Sequence, residues 1–135
     1  MKQLWSRALL VIIVLHPLIG WSAPDEPEDL IDSVVTCLKK HDASMIVEYM
    51  NDPIDLKING KKGIYSVGQA QVILADFFKK NPAKSFTKNH VSESGNNEVS
   101  VIGTYTSTNQ TYRVYFLIKE DQGKYTIYQF YIEKS

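Results

Sequence analysis

The sequence predicts a single α+β domain in which helices come first and a curved antiparallel sheet follows. Apolar residues recur at helical spacing in three segments before Pro82. After Pro82 the pattern changes to consecutive runs of strand-forming residues separated by short polar turns. The length of 135 residues suits one domain. Hydrophobic residues make up 44% and charged residues 22% of the chain, which excludes a disordered protein.

Residues 1–22 are predicted to be a signal peptide and not part of the fold. A positive start with Lys2 and Arg7 precedes an apolar stretch. That stretch is too short to cross a bilayer, which needs about 20 apolar residues. Small residues favour cleavage after Ser22, and an uncleaved signal anchor is the alternative. We therefore expect a secreted protein, periplasmic or extracellular, with no membrane span after cleavage and with residues 23–135 as its single domain.

Two helices are predicted at the start of the mature chain. The first spans residues 28–40, where acids at its start and lysines at its end complement the helix dipole. Asp42 is the predicted N-cap of a short second helix, which Pro53 ends. Cys37 is the only cysteine. We predict that it is a small buried side chain, with an intermolecular disulfide as the alternative.

A short hairpin and a third helix follow. Residues 54–58 alternate between apolar and polar side chains, and Asn59-Gly60 is typical of a two-residue hairpin turn before a return strand at 63–65. Ser66 has capping-box spacing at the start of the third helix, which ends at Asn81. The broad apolar face of this long helix consists of Ala70, Ile73, Leu74, Phe77 and Phe78.

The second half of the chain is predicted to be all strand. The four strands are 85–92, 98–106, 110–119 and 124–134. Consecutive strands joined by short turns favour an antiparallel meander. Because the helix before them is strongly apolar, we expect a bent sheet wrapped around the third helix.

Three segments resemble a family of bacterial secreted proteins. They are FFKKNPAKSF at 77–86, TYRVYFLIK at 111–119 and GKY at 123–125. The family is a domain of unknown function that resembles the nuclear-transport-factor-2-like fold, within the cystatin-like superfamily. The resemblance covers residues 28–133 and implies a cone-shaped α+β fold with a curved sheet around a long helix. The superfamily includes isomerases, dehydratases, ligand binders and adaptors, so the resemblance implies no one activity.

Catalytic members of that superfamily place an acid or a His–Asp pair inside the cone, and three residues of this chain are candidates for such a role. Asp55 alternates with apolar neighbours, so we expect it to face solvent. Asp76 lies at the edge of the apolar face of the third helix, where a single acid is usually solvated. The face of His90 is ambiguous. We predict no catalytic residue, and none can be transferred from the family.

Composition and spacing predict no metal site, no cofactor and no nucleic-acid partner. The chain has 15 Lys+Arg and 15 Asp+Glu, so it carries no broad positive field. The two histidines outside the leader, His41 and His90, have no metal-ligand spacing. No glycine-rich phosphate loop is present.

The strand at 110–119 carries the candidate ligand site. Arg113 and Tyr115 share one face of this strand. Together with Tyr105 from the neighbouring strand and His90, they form a candidate site for an anionic or flat ligand, held by charge and stacking. The alternative is a cross-strand pair that only covers the sheet.

We therefore predict a noncatalytic module that binds a small ligand or a protein partner through its curved sheet. The tyrosine-rich strands also offer a surface for a homodimer, which is common in the superfamily that the sequence resembles. A small cone-fold enzyme of the isomerase or dehydratase type is the alternative. A cystatin-type protease inhibitor is disfavoured, because the chain has no Gln-x-Val-x-Gly stretch.

Overall fold

The computed structural model describes residues 26–135, and the predicted signal peptide lies outside them. Three α-helices and six strands follow one another in the order α1, α2, β1, β2, α3, β3, β4, β5, β6. Their bounds are α1 Pro27–Lys39, α2 Ala43–Ile46, β1 Met50–Ile58, β2 Lys61–Tyr65, α3 Val67–Lys80, β3 Ala83–Ser94, β4 Glu98–Ser107, β5 Thr111–Asp121 and β6 Lys124–Lys134. None of the helices in this part of the chain has the length and hydropathy needed to span a membrane.

The strands form one mixed sheet in the order β2-β1-β6-β5-β4-β3. The predicted sheet of four strands is therefore wrong in strand number. The four later strands do pair as an antiparallel meander, but β1 pairs in parallel with β6 and brings the hairpin into the same sheet. Parallel neighbours need a long crossover, and here most of the chain forms it. Sequence spacing gives no signal for such a distant pairing.

The second helix is shorter than predicted. The α-helical part ends at Ile46, a 3-10 turn covers Val47–Tyr49, and β1 begins at Met50. Pro53 therefore lies within a strand, at an irregularity in the pairing of β1 with β6 between Met50 and Asp55. Such irregularities accommodate proline, because the missing N–H costs no regular ladder hydrogen bond.

Local signals in the sequence place the hairpin and α3 correctly. Asn59 and Gly60 have φ values of 49° and 85°, as their two-residue turn requires. The Ser66 hydroxyl accepts a hydrogen bond from the Gln69 N–H at 3.2 Å, and the Gln69 side chain accepts one from the Ser66 N–H at 3.2 Å. Both bonds satisfy N–H groups that the first turn of a helix leaves without a partner.

The helices cover one face of the sheet, which we call the inner face. α1 packs on β3, β4 and β6, and α3 packs on β1 and β2 and also reaches β4 and β5 through the ring of Phe77. The inner face therefore holds α1 as well as the α3 that the sequence predicts there. The buried side of α1 consists of Leu30, Ile31, Val34, Cys37 and Leu38.

Aromatic rings and Asn81 join the end of α3 to the inner face. The rings of Phe77 and Tyr112 meet edge to face with centroids 4.9 Å apart. Tyr105 donates to the Asn81 carbonyl oxygen at 2.5 Å, and Tyr112 donates to the Asn81 side-chain oxygen at 2.8 Å. Burial raises the pKa of the Tyr105 phenol, so it stays a hydrogen-bond donor. Fixing both phenols on one residue lets large polar side chains fill the core without unsatisfied groups.

We expect the thiol of Cys37 to be unreactive in the folded protein. Its side chain is only 1% exposed, and burial raises the pKa of the thiol from 9.0 to about 11. Since the thiolate is the reactive form, a thiol reagent should label Cys37 only after denaturant is added. Labelling of the native protein as fast as the unfolded chain would contradict this burial.

The same pKa shift predicts a loss of stability at high pH. The unfolded chain releases the thiol proton near pH 9 and the folded chain near pH 11, so the free energy of unfolding should fall across this window. Below pH 9 both states hold the proton and the contribution is constant. Urea unfolding of Cys37→Ala should show a shallower decline across this pH window than the parent chain does.

Gly103 is predicted to tolerate no side chain. A Cβ at this position would lie 2.7 Å from the Thr87 carbonyl oxygen and would collide with the ring of Phe86. Gly103→Ala should therefore lower the free energy of unfolding by about 1–3 kcal/mol. Gly95→Ala is the matched control, because a Cβ there meets nothing within 4 Å. Equal denaturation midpoints for the two variants would contradict the close approach of β3 and β4.

Candidate functional site

The candidate site lies on the face of the sheet that is turned away from the helices, which we call the outer face. Successive side chains of strand β5 point alternately to the inner and the outer face. Its inner residues are buried: Tyr112, Val114, Phe116 and Ile118. Arg113 is exposed and Tyr115 and Leu117 are partly exposed, so Arg113 and Tyr115 share one face of the strand as predicted.

One row of residues on the outer face crosses all six strands. Each member lies directly opposite the next in the strand pairing. From β3 to β2, this outer row consists of His90, Ile102, Tyr115, Tyr131, Lys57 and Lys62. Neighbouring Cβ atoms in such a row are about 4.5–5.5 Å apart, close enough for direct contact.

Two of the predicted site residues, His90 and Tyr115, belong to the outer row, and a third, Arg113, lies beside it. Tyr105 does not belong there. It pairs with Tyr112 on the inner face and is fully buried, whereas the residue opposite Arg113 in β4 is Thr104. The predicted grouping of Tyr105 with Arg113 is therefore wrong, because the register of β4 and β5 places Tyr105 in the core.

His90 reaches the outer face because β3 contains a bulge. The pairing of β3 with β4 shifts between Lys88 and His90, and the extra residue is Asn89. The side-chain oxygen of Asn89 accepts a hydrogen bond from the Thr104 hydroxyl at 2.7 Å. Counting by twos from the buried Phe86 would place His90 inside, and the bulge reverses that alternation.

Asp55 has more polar contacts than the sequence predicts. It lies on the outer face as expected, but its side chain is only 15% exposed. One carboxylate oxygen accepts hydrogen bonds from the Tyr131 hydroxyl at 2.7 Å and the Gln129 amide at 3.2 Å, and lies 3.7 Å from the Lys62 ammonium. The other oxygen, Oδ1, is buried with no hydrogen-bond partner among the described residues. These donors come from β6 and β2, so only the strand order could have revealed them.

Tyr131 is the centre of the outer face. Its ring lies 5.7 Å from the ring of Tyr115, centroid to centroid. The ammonium groups of Lys57 and Lys62 lie 5.9 Å and 5.4 Å from the Tyr131 centroid, within cation–π range. Burial, and then the hydrogen bond to Asp55, raise the pKa of the Tyr131 phenol. The Tyr131 phenol and the Asp55 charge also raise the pKa of the Lys62 ammonium.

Arg113 is a cation near the centre of this face that has no ion-pair partner within residues 26–135. The acid directly opposite it, Glu133, is bound by Lys57 at 2.5 Å. Farther along the face, Lys119 lies 3.4 Å from Glu98. The guanidinium of Arg113 is therefore available for a carboxylate or phosphate from another molecule, with the Tyr115 ring beside it.

The arrangement suits binding better than proton transfer. One oxygen of Asp55 accepts two hydrogen bonds and lies near the Lys62 ammonium, and the other oxygen is buried, so a substrate has no direct access to an unoccupied oxygen of this carboxylate. A general base must reach the proton that it removes. Within residues 26–135, no three His, Cys, Asp or Glu side chains lie close enough together to hold a metal ion.

The hydrogen bond from Tyr131 to Asp55 should be important for stability. Tyr131→Phe removes a donor from a charged, mostly buried acceptor, so the free energy of unfolding should fall by about 1.5–3 kcal/mol. Tyr115→Phe is the control, since it removes a phenol from the same row that has no hydrogen bond within the described chain.

A double-mutant cycle in urea unfolding tests whether the two side chains act together. In an Asp55→Asn background, Tyr131→Phe should cost less than it does alone. Additive effects of the two substitutions would contradict the coupling.

Known proteins with this arrangement of helices and strands support the fold. A crystal structure of a DUF4783 family protein from Bacteroides ovatus is 30% identical, with a TM-score of 0.72 over 76% of this chain and 93% of that chain. A family protein from Bacteroides uniformis is 28% identical, with a TM-score of 0.72 over 77% of this chain and 95% of that one. An NTF2-like protein of unknown function from Shewanella baltica is 11% identical, with a TM-score of 0.63 over 80% and 90% of the two chains, which supports the fold alone.

Among curated proteins, none is significantly similar to this chain. The family model described as "Domain of unknown function (DUF4783)" matches residues 31–133, which is nearly the whole of the described chain. The predicted resemblance to a bacterial domain-of-unknown-function family with a nuclear-transport-factor-2-like fold is thereby confirmed. The chain belongs to the DUF4783 family.

Proposed function

We propose that this protein is a noncatalytic binding module that uses the outer face of its sheet to hold a partner, and that the partner is a second copy of the chain. The observation that carries the proposal is the composition of the outer face. Aromatic and aliphatic side chains occupy its centre, namely Ile102, Tyr115, Leu117 and Tyr131. Charged pairs surround this centre, as in protein interfaces with an apolar core and a polar rim.

The charges of this face suit self-association. Both signs are present: the cations are Lys57, Lys62, Arg113 and Lys119, and the anions are Asp55, Glu98 and Glu133. In a two-fold contact the same patch meets itself, so a face with both signs can match its own copy. A face of a single sign would repel its copy.

The size of the face supports the same conclusion. Five of the six strands are nine to twelve residues long and β2 has five residues. With strands about 4.8 Å apart and a rise of about 3.3 Å per residue, the face covers roughly 900 Å². A stable protein interface buries about 800 Å² on each partner. The face is therefore large enough for a specific dimer without any contribution from the helices.

The interior supports the noncatalytic part of the proposal. Catalytic members of the superfamily place an acid or a His–Asp pair inside the cone, whereas the core of this chain is filled by large side chains such as Tyr105, Phe116 and Phe130. The hydroxyls of Tyr105 and Tyr112 both donate to Asn81. Polar groups that are already bonded in a packed core are not free to act on a substrate.

Charge reversal at Arg113 should weaken the dimer. Sedimentation velocity over a concentration series should show that the parent chain dimerises. The variant carrying Tyr115→Ala and Arg113→Glu should have a dimer dissociation constant at least tenfold higher, because tyrosine and arginine contribute most to interface energies. Lys79→Glu, an equal charge change at the exposed end of α3, should leave association unchanged.

Two outcomes would contradict this assignment. A parent chain that stays monomeric at high concentration would exclude self-association, and an equal effect of Lys79→Glu would attribute the change to net charge.

Native mass spectrometry distinguishes a bound small ligand from a second copy of the chain. A retained small molecule that is lost on Arg113→Glu would make a flat anionic ligand the partner of this face.

A further inference from the structure

A concave surface, separate from the outer face, lies on the inner side of the protein between α3 and the β1–β2 hairpin. It is a cavity of about 490 Å³, within the size range of small-molecule sites. Its apolar lining consists of Leu56, Ile58, Tyr65, Val72, Ile73 and Phe77. No residue of the outer row contributes to it, so the two surfaces are separate.

The apolar lining continues from the core to the solvent. Leu56 and Phe77 are buried at the base of the cavity, Ile73 is partly buried, and Val72 is 71% exposed on α3. A single exposed valine is unremarkable on a protein surface, but here it extends an apolar wall outward. An apolar chain in the cavity would cover this wall and remove its apolar surface from water, which is favourable.

The charged groups around the cavity leave one unpaired cation. Asp76 and Lys80 form an ion pair with each other at 2.9 Å across one turn of α3. Lys61 on β2 is exposed and forms no ion pair within the described chain. The lining therefore has a net positive charge at the hairpin side, which favours an anionic group there.

Asn81 also lines the cavity but does not add a free polar group. Its side-chain amide donates to the Phe77 carbonyl oxygen at 3.1 Å, and its oxygens accept from Tyr105 and Tyr112. A bound molecule therefore meets an apolar wall with its polar contact at Lys61.

We infer that the cavity between α3 and the β1–β2 hairpin binds an amphipathic anion, a molecule with an apolar chain and one carboxylate head. The chain packs against Val72, Ile73 and Phe77, and the head pairs with Lys61. This site is independent of the proposed dimer, because Lys61 points to the inner side of β2 while Lys62 belongs to the outer row.

Titration calorimetry with dodecanoate tests the inference, with dodecyltrimethylammonium as the matched cation of the same chain length. We expect saturable binding of dodecanoate that is at least tenfold tighter than binding of the cation. Lys61→Glu should weaken dodecanoate binding at least tenfold, and Val72→Glu should abolish it by placing a like charge in the wall. Lys79→Glu is the matched control on the same helix, outside the cavity, and should bind dodecanoate like the parent chain.

Each contrary result overturns the inference. Absence of saturable dodecanoate binding, or equal affinity for the two probes, would exclude an anion site. If Lys61→Glu and Lys79→Glu weakened dodecanoate binding equally, the net charge of the protein and not a contact at Lys61 would explain the loss. Lys61 and Val72 are exposed, so both variants should fold, which circular dichroism verifies. Sedimentation of Lys61→Glu should match the parent chain, so failure of this site and failure of the dimer are distinguishable.

Discussion

The parallel pairing of β1 with β6 is the constraint on which both surfaces of this protein depend. It joins a short hairpin from the first half of the chain to the last strand, across a separation of 74 residues between Asp55 and Gln129. On the outer face it supplies the donors for Asp55. On the inner face it holds the hairpin beside α3 and so forms the cavity wall. Closing a contact so distant in sequence costs loop entropy, which the other contacts of the sheet offset.

The sequence predicts what depends on neighbouring residues and misses what depends on distant ones. The capping box at Ser66 and the turn at Asn59-Gly60 follow from local chemistry, and both are found as predicted. His90 could not be placed, because one extra residue at a bulge reverses the alternation of a strand. Tyr105 was misplaced for a related reason: strand register is set by the partner strand and the turn, and a shift of one residue exchanges the faces.

The polar groups of the inner and outer faces differ in how they are hydrogen-bonded. On the inner face the polar atoms of large aromatic residues converge on Asn81 at the end of α3, which leaves the core satisfied. On the outer face one oxygen of Asp55 accepts two hydrogen bonds, while its other oxygen is buried and has no donor in the described chain. The outer face therefore links a charged group to donors on two neighbouring strands, whereas the core pairs its polar atoms on a single residue.

The bulged strand β3 also limits how copies of the chain can meet. As the two outermost strands, β2 and β3 leave backbone groups available to another chain. β2 is only five residues long, and β3 has two irregularities and carries Lys84 and Lys88. Short, bulged and lysine-bearing edges resist edge-to-edge pairing, which can propagate into open-ended aggregates. Contact through the outer face does not propagate in this way. In a two-fold dimer the outer face of each copy is covered by the other copy, so no further copy can add there.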